Sequence, residues 1–523
     1  MKTKLFLKIL IGIVTLLLLI KLLTIILIEP WVGNKIQSVL NEKNRDFIIK
    51  IEKVHILMLR SVIKLEIITI NSKEQHAGRP DFKGEIASIK FKGIKFAKAL
   101  FKKDIDIREL TISNICIKGK ILFPKKAKPP IVSPLNIRIG NIFFDKIDLA
   151  IGNTSTAQAY TVKEGVLKVY DLQVKKQDTI NLGIIKQLDF EAEELLSVSS
   201  DSMYTYKVSN IVYSSTSKTI AVKDFSINPN YSISKFAALH KFATDRIKAQ
   251  FSNMYMHDFS PAGYLKSRSL ISSYVEIGKM DLNVFRDCRK EFQHINKPAY
   301  QDMIYNYPGS INIDSIGVTN GNITYTEHAE KAKEPGSISF NEINAKIYNI
   351  TNDTIYKTKT AFLELKGKAL LMGKGEMTIL LKGRIYDSYN TFSLNGTLSG
   401  MEAKGLNPML EKNAFIYITS GKIDALHFSF NANNTKATGN MTLLYHGLEI
   451  ANKNKQTDKT NAYKEQLISL IVNKNLKDSN PIPGEKVRKG IIDNKRDPEK
   501  FLFGYCWKSI LSGIISSLAK SPK

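Results

Sequence analysis

The chain has 523 residues, of which 43% are hydrophobic, and carries 76 Lys and Arg against 49 Asp and Glu for a net charge of +27. That length exceeds one compact core, so two to four units are expected. The charge points first to nucleic acid or an anionic membrane, yet there is no Cys/His zinc spacing, no aromatic RNA-binding strand motif and no Arg-rich helix. A composition crowded with Lys, Ile and Asn, as an A/T-rich genome produces, accounts equally well for a solvated basic surface. Cys116, Cys288 and Cys506 stand far apart, which excludes a CxxC site and a disulfide framework of the small secreted type.

Leu5 to Ile28 is apolar apart from Thr15, Thr24, Lys8 and Lys21, and Ile9–Ile28 supplies the roughly 20 helical residues a bilayer core requires. Lys2, Lys4 and Lys8 favour an N-inside orientation, and Trp31 fits the aromatic belt just outside the span. A cleaved signal peptide is the rival reading. No small-x-small site follows the apolar run, so an uncleaved anchor over 1–29 is preferred. In a bacterium this places one span in the inner membrane and the bulk of the chain in the periplasm.

Gly33–Lys43 has the spacing of a short amphipathic helix, and strand material follows through residues 30–230. Ile63, Leu65 and Ile67 alternate with Lys64 and Glu66. Ile107, Leu110, Ile112, Ile115 and Ile117 share a cadence with Ile139, Ile142, Phe144, Ile147 and Leu149, with turns expected at Ser113-Asn114 and Asp145-Lys146. The basic, proline-rich stretch 124–130 reads as an exposed loop. A connector over 231–300 opens with helical spacing at Ile233, Phe236, Ala237 and Leu239, and its short strands end at Arg286-Asp287, a pair expected to be a structural ion pair.

The strand pattern is strongest over 301–450. Ser310 to Thr326 places Ile311, Ile313, Ile316 and Val318 on one face, with a hairpin or sharp corner expected at Asn320-Gly321. Ile379 and Leu381, then Phe428 and Phe430, continue the apolar set, while His427 and His446 fall on the polar side. A helix over 463–476 and a basic linker complete 451–496. The last segment, 497–523, starts with an N-cap at Asp497 and carries Phe503, Trp507, Ile510, Leu511, Ile514 and Leu518 on one stripe.

No GxSxG, HExxH, Walker loop or GxGxxG follows a strand, and the eight histidines are scattered, so neither catalytic residues, nor a metal site, nor a cofactor is expected. What the pattern offers is apolar area: about twenty strands and roughly four helices. Such a sheet either fills its own interior as a sandwich or barrel, or coils into a trough for acyl chains.

Several stretches carry a family resemblance: the N-terminal anchor; Asp245-Arg246-Ile247 through Val284-Phe285-Arg286-Asp287; Ile313 through Glu327; Gly336-Ser337-Ile338-Ser339-Phe340; Gly396 through Met401 with Leu406-Asn407-Pro408; Ser420-Gly421-Lys422-Ile423; and Gly439-Asn440-Met441 with Leu444-Tyr445. In these the chain resembles the AsmA-like family of bacterial envelope proteins, in its shorter Bacteroidetes form, over the anchor and roughly residues 230–450. The resemblance implies a mainly β protein: a transmembrane helix, then a long twisted antiparallel sheet forming a groove, with a few amphipathic helices including one at the C-terminus. It further implies an inner-membrane protein that conducts phospholipid or another acyl lipid towards the outer membrane. The groove would be lined by Ile63, Leu65, Ile67, Ile311, Ile313, Ile316, Val318, Ile379, Leu381, Phe428 and Phe430. Trp31, Phe503, Trp507, Ile510 and Ile514 are the candidate membrane-interface residues, the end of the sheet being the other place for the terminal helix. The alternative is a membrane-tethered scaffold for outer-membrane or envelope assembly proteins that transports nothing.

Overall fold

The computed structural model describes residues 2–43, 47–73, 81–96, 98, 104–121, 132–178, 184–353, 362–452 and 476–519. The protein is mostly β, with 59% of its residues in twenty strands of one sheet that is not closed into a barrel. Two compact units divide the chain, 1–220 and 221–523. The proline-rich stretch 124–130 and residues 463–475 of the expected helix lie outside the described residues; Leu476 forms a bridge to Ala519.

A single helical rod opens the first unit: α1 (Lys2–Leu23), a π-turn (Thr24–Ile28) and α2 (Glu29–Lys43). Pro30 explains the wide turn, because its ring crowds the carbonyl four residues back and it has no N–H to give. The first strand, β1 (Phe47–Leu57), runs back along α2 and is followed by β2 (Val62–Ser72), β3 (Asp81–Lys92) and β4 (Asp104–Ile121). Then come β5 (Asn136–Asn153), β6 (Ala159–Val174), β7 (Ile185–Val198) and β8 (Tyr204–Ser214). Neighbours pair antiparallel except β4 and β5, which are parallel.

Asn320-Gly321, Ser113-Asn114 and Asp145-Lys146 do not turn the chain. Each sits inside one continuous strand of 18 residues, where Asn114, Lys146 and Asn320 take φ of 52°, 54° and 52°. They are β-bulges. One extra residue resets the alternation, so the x-x spacing keeps every apolar side chain on the same face. Ile67, Asn114, Lys146, Glu164 and Asn210 all have positive φ and fall in one transverse row, which passes through β3 and β7 without a left-handed residue there.

The second unit repeats this architecture in β10 (Asp245–Met256), β11 (Leu270–Asp287), β12 (Ile311–His328) and β13 (Gly336–Thr351), after β9 (Thr219–Pro229). Strands β11 and β12 are parallel, as β4 and β5 are. Ile139 and Asn141 pair with Leu172 and Tyr170, just as Ile313 and Ser315 pair with Ile350 and Tyr348. Left-handed residues lie seven apart in both copies, at Glu164 and Asp171 and at Glu342 and Asn349. Lys168-Val169-Tyr170-Asp171-Leu172 then matches Lys346-Ile347-Tyr348-Asn349-Ile350.

Beyond β13 the unit adds β14 (Leu363–Leu371), β15 (Gly375–Gly383), β16 (Phe392–Leu398), the short β17 (Met401–Glu402), β18 (Ile416–Ala432), β19 (Lys436–Asn452) and β20 (Lys489–Lys495). Its helices are α3 (Ile233–Leu239), capped by Ser232; α4 (Pro261–Ser267); α5 (Tyr300–Tyr305), in the crossover that parallel pairing of β11 and β12 demands; α6 (Asn407–Asn413); and α7 (Leu502–Leu518). The start expected at Asp497 is a turn instead: Asp497 Oδ1 accepts from the Glu499 N–H at 3.1 Å and its carbonyl from Lys500 N–H, leaving Phe501 as the N-cap. Arg286 and Asp287 point to opposite faces, as adjacent strand residues must, and pair elsewhere, with Asp245 at 3.2 Å and Arg289 at 2.7 Å.

Candidate functional site

Three surfaces emerge among the described residues: an edge strand under a helix, an apolar sheet face with little laid over it, and a sheet end under a second helix.

At the edge, helix α2 lies against β1 and satisfies its outward backbone groups. Glu29 Oε1 accepts from Ile56 N–H at 2.7 Å, Gln37 Oε1 from Ile51 N–H at 2.9 Å and Asn41 Oδ1 from Ile49 N–H at 2.7 Å, while Asn41 Nδ2 donates to the Ile49 carbonyl. Ile28, Val32 and Ile36 of the same rod pack on Val54, Ile56, Leu65 and Ile68. One helix therefore covers both the edge of the sheet and the start of its apolar face. The signal was in the sequence: Glu29, Gly33, Gln37 and Asn41 recur every four residues along one side of a helix.

Leu65 is buried in that cluster and Ile63 packs against it, as the alternation predicts. Ile67 is a correction. It occupies the bulge at φ 55°, is 41% exposed, and leaves its place on the apolar face to Ile68.

Among the described residues, the apolar face from β3 to β8 is covered only in part, by the β3–β4 connection whose Ile94 packs on it. Ile89, Ile112, Phe144, Leu167, Phe190 and Tyr213 are successive cross-strand partners and form one transverse row. Most are half-buried, and no described residue from β4 to β8 is in an α-helix. Ile107, Ile139, Ile142 and Val169 form a small buried cluster in this stretch, and Ile115, Val174, Ala192 and Tyr213 are buried outside it. Near its rim Asp106 accepts from Lys98 Nζ at 2.7 Å and Lys95 Nζ at 2.9 Å; these hydrogen bonds hold its carboxyl below the usual carboxylate range.

The second unit has a comparable row: Val275, Ile316, Ile347, Leu365, Leu381, Leu394 and Phe430. Ile311, Ile316 and Val318 are half-buried and Ile313 is buried. Followed towards β18, the row runs under other parts of the chain. Phe430 stacks on Phe428 at 6.2 Å, Phe392 meets Phe430 edge-on at 6.4 Å, and Tyr505 of α7 and Tyr300 of α5 close over Phe392 at 6.2 and 6.4 Å. Leu381, Phe428 and Phe430 are thus core residues, with Ile379 packed against them. Burial raises the Tyr300 hydroxyl and pushes the Cys506 thiol up to about 12.

Helix α7 buries only part of the stripe its sequence suggests, most fully at Leu518. Phe503 and Trp507 are exposed, and Ile510 and Ile514 are half-buried against the core, whereas Ser509, Ser512, Gly513 and Ser517 face inward. The small side chains let the helix approach β20 closely: a Cβ on Gly490 would collide with Ser517 Oγ and the Gly513 carbonyl. Ser516 Oγ accepts from Ile491 N–H at 3.0 Å and Ser512 Oγ from Asp493 N–H at 3.2 Å, while Asn494 Nδ2 donates to Ser509 Oγ. The helix is a cap on the edge strand, the second of the two places the sequence allowed it. Serine spacing at 509, 512 and 516 carried the information, obscured by the more conspicuous apolar stripe.

Among the described residues no group of three or more His, Cys, Asp or Glu is placed to hold a metal ion. His446 is exposed and bonded to Asp424 at 2.8 Å, and His427 faces solvent. No family model matches the chain, and no curated protein matches it.

Proposed function

We propose that this protein is a single-span inner-membrane protein that binds acyl lipid on the apolar faces of β3–β8 and of β9–β13 and passes it along passively on the periplasmic side. The observation that carries the reading is the transverse row from Ile89 to Tyr213, apolar across six strands, with no helix among the described residues of the connections from β4 to β8. Each CH₂ that leaves water for such a face gains about 0.8 kcal/mol, so partial contact along one acyl chain gives useful affinity without a closed pocket. The helix at the N-terminus is long and apolar enough to cross a membrane, and the AsmA-like resemblance supports the same assignment. In the second unit the apolar floor ends under α5, α6 and α7, which supports a partner that receives lipid upstream of β14, and assigns β14–β20 to structure.

The test uses the full-length protein extracted in mild detergent. Phospholipid is expected to co-purify with the wild type and to be lost from a folded Phe144→Asp/Leu167→Asp double variant. Equal lipid in both, with circular dichroism unchanged, would falsify lipid carriage on this face and leave the membrane-tethered scaffold, for which the sealed C-terminal core and exposed Phe503 and Trp507 would be the natural platform.

A further inference from the structure

We infer that the β1–β2 turn is a second membrane contact, dipping into the interface of the same bilayer that α1 spans. This inference rests on the anchor part of the reading above and is independent of lipid carriage.

Strand β1 ends beside the exit of the apolar rod. The chain leaves the apolar rod at Glu29, climbs along α2, and returns down β1 until Ile56 N–H donates to Glu29 Oε1 at 2.7 Å. Ile56 therefore stands level with the first residue after the apolar stretch Ile9–Ile28. Leu57 and the turn Met58–Arg60 lie beyond it, on the membrane side. At about 3.3 Å per strand residue, the turn reaches roughly 5–10 Å past Glu29, the depth at which interfacial apolar groups reside.

A second observation agrees. From Ile11 to Leu27 the described side chains of the rod are exposed except Thr24, which is only 6% exposed. What lies against the π-turn Thr24–Ile28 is β1. The returning strand thus touches the rod inside the segment that would span the bilayer, so a membrane around that segment must also meet the strand's end.

Composition of the turn fits this occupant. Leu57 and Met58 are 45% and 53% exposed, an unusual amount of bare apolar surface for a turn, and Trp31 is 67% exposed nearby in sequence on the rod. Arg60 is exposed beside them and suits lipid phosphates. Two attachments, a helix and a turn, fix the orientation of β1 and β2 on the membrane in a way one flexible span does not.

The experiment places an environment-sensitive fluorophore on full-length protein, with Cys116, Cys288 and Cys506 replaced by Ser, in vesicles of phosphatidylcholine and phosphatidylglycerol. Probes are attached at Met58→Cys, at Leu19→Cys within the span, and at Ile491→Cys as an exposed site on β20. The Met58 probe is expected to show blue-shifted emission and to be quenched by lipids carrying a nitroxide near the headgroup end of the acyl chain, more than by one deep in the chain. Leu19 should be quenched by the deep label and Ile491 by neither. A Met58 probe that behaves like Ile491, while Leu19 reports insertion, overturns the inference. Loss of the Leu19 signal as well overturns it together with the anchor reading, whatever lipid co-purification shows.

Discussion

The faces of β3–β8 and β14–β20 are written in the same alternating code and end in opposite states. Across β3–β8 the row from Ile89 to Tyr213 stays largely half-buried, whereas Leu381, Leu394 and Phe430 of the later strands disappear into a core sealed by α5, α6 and α7. Among the later strands, the cover comes from what the described connections carry. Helices sit in the β11–β12 crossover, between β17 and β18, and after β20, and they lay aromatic residues such as Tyr300 and Tyr505 over the floor. An apolar strand face specifies that something must cover it; it does not specify what.

Truncation separates the two regions most strongly. Phe430→Ala is expected to cost about 3–5 kcal/mol, because it leaves a cavity amid Phe428, Phe392 and the helices. Phe144→Ala, on the partly covered face, should cost about 1 kcal/mol, since the site is already partly wet. Urea unfolding of both variants measures the contrast. Equal losses would show that β3–β8 is covered in solution and would break the comparison.

Edge capping gives the next largest effect. Replacing Ser512 and Ser516 together by Ala removes the acceptors for Asp493 and Ile491 N–H and should cost about 0.5–1.5 kcal/mol per bond. It also bares an edge strand, so concentration-dependent self-association is expected by light scattering. A double variant as stable and monodisperse as the wild type would mean that apolar packing alone holds α7.

Acid titration of the Asp106 cluster should show the smallest effect. Lys98 and Lys95 depress this carboxyl in the folded chain, so its stabilisation is present above the ordinary carboxylate range and disappears as pH falls through the folded value. Both lysines are about half exposed, which limits the contribution to about 1 kcal/mol or less. Melting temperatures of wild type and Asp106→Asn are expected to differ at pH 7 and to converge on acidification. A difference that grows towards low pH would contradict the pairing.

Strand number and face were legible because alternation is local. Ile107-x-x-Leu110-x-Ile112-x-x-Ile115 announces one apolar side whether each x-x is a turn or a bulge, and that choice depends on whether the neighbouring strand bulges at the same level. Asn320-Gly321 misled for this reason: the dipeptide supplies φ > 0, which a hairpin and a bulge both use. Ile67 shows the consequence at one residue, since a single inserted position exchanged it with Ile68. Helix α7 shows it at the level of an element, because its greasy stripe was the louder signal and its serines made the closest contacts.

An apolar N-terminal helix, about twenty strands and, Ile67 apart, the residues that share a side all follow from spacing within ten or twenty residues. Where left-handed kinks replace turns, which described floor is sealed, and that polar residues of α2 and α7 close the strands β1 and β20 came only with the folded chain. Those outcomes depend on hydrogen bonds and packing between segments far apart in the chain, such as Tyr300 and Tyr505 meeting over Phe392, and no local period encodes which distant partner arrives.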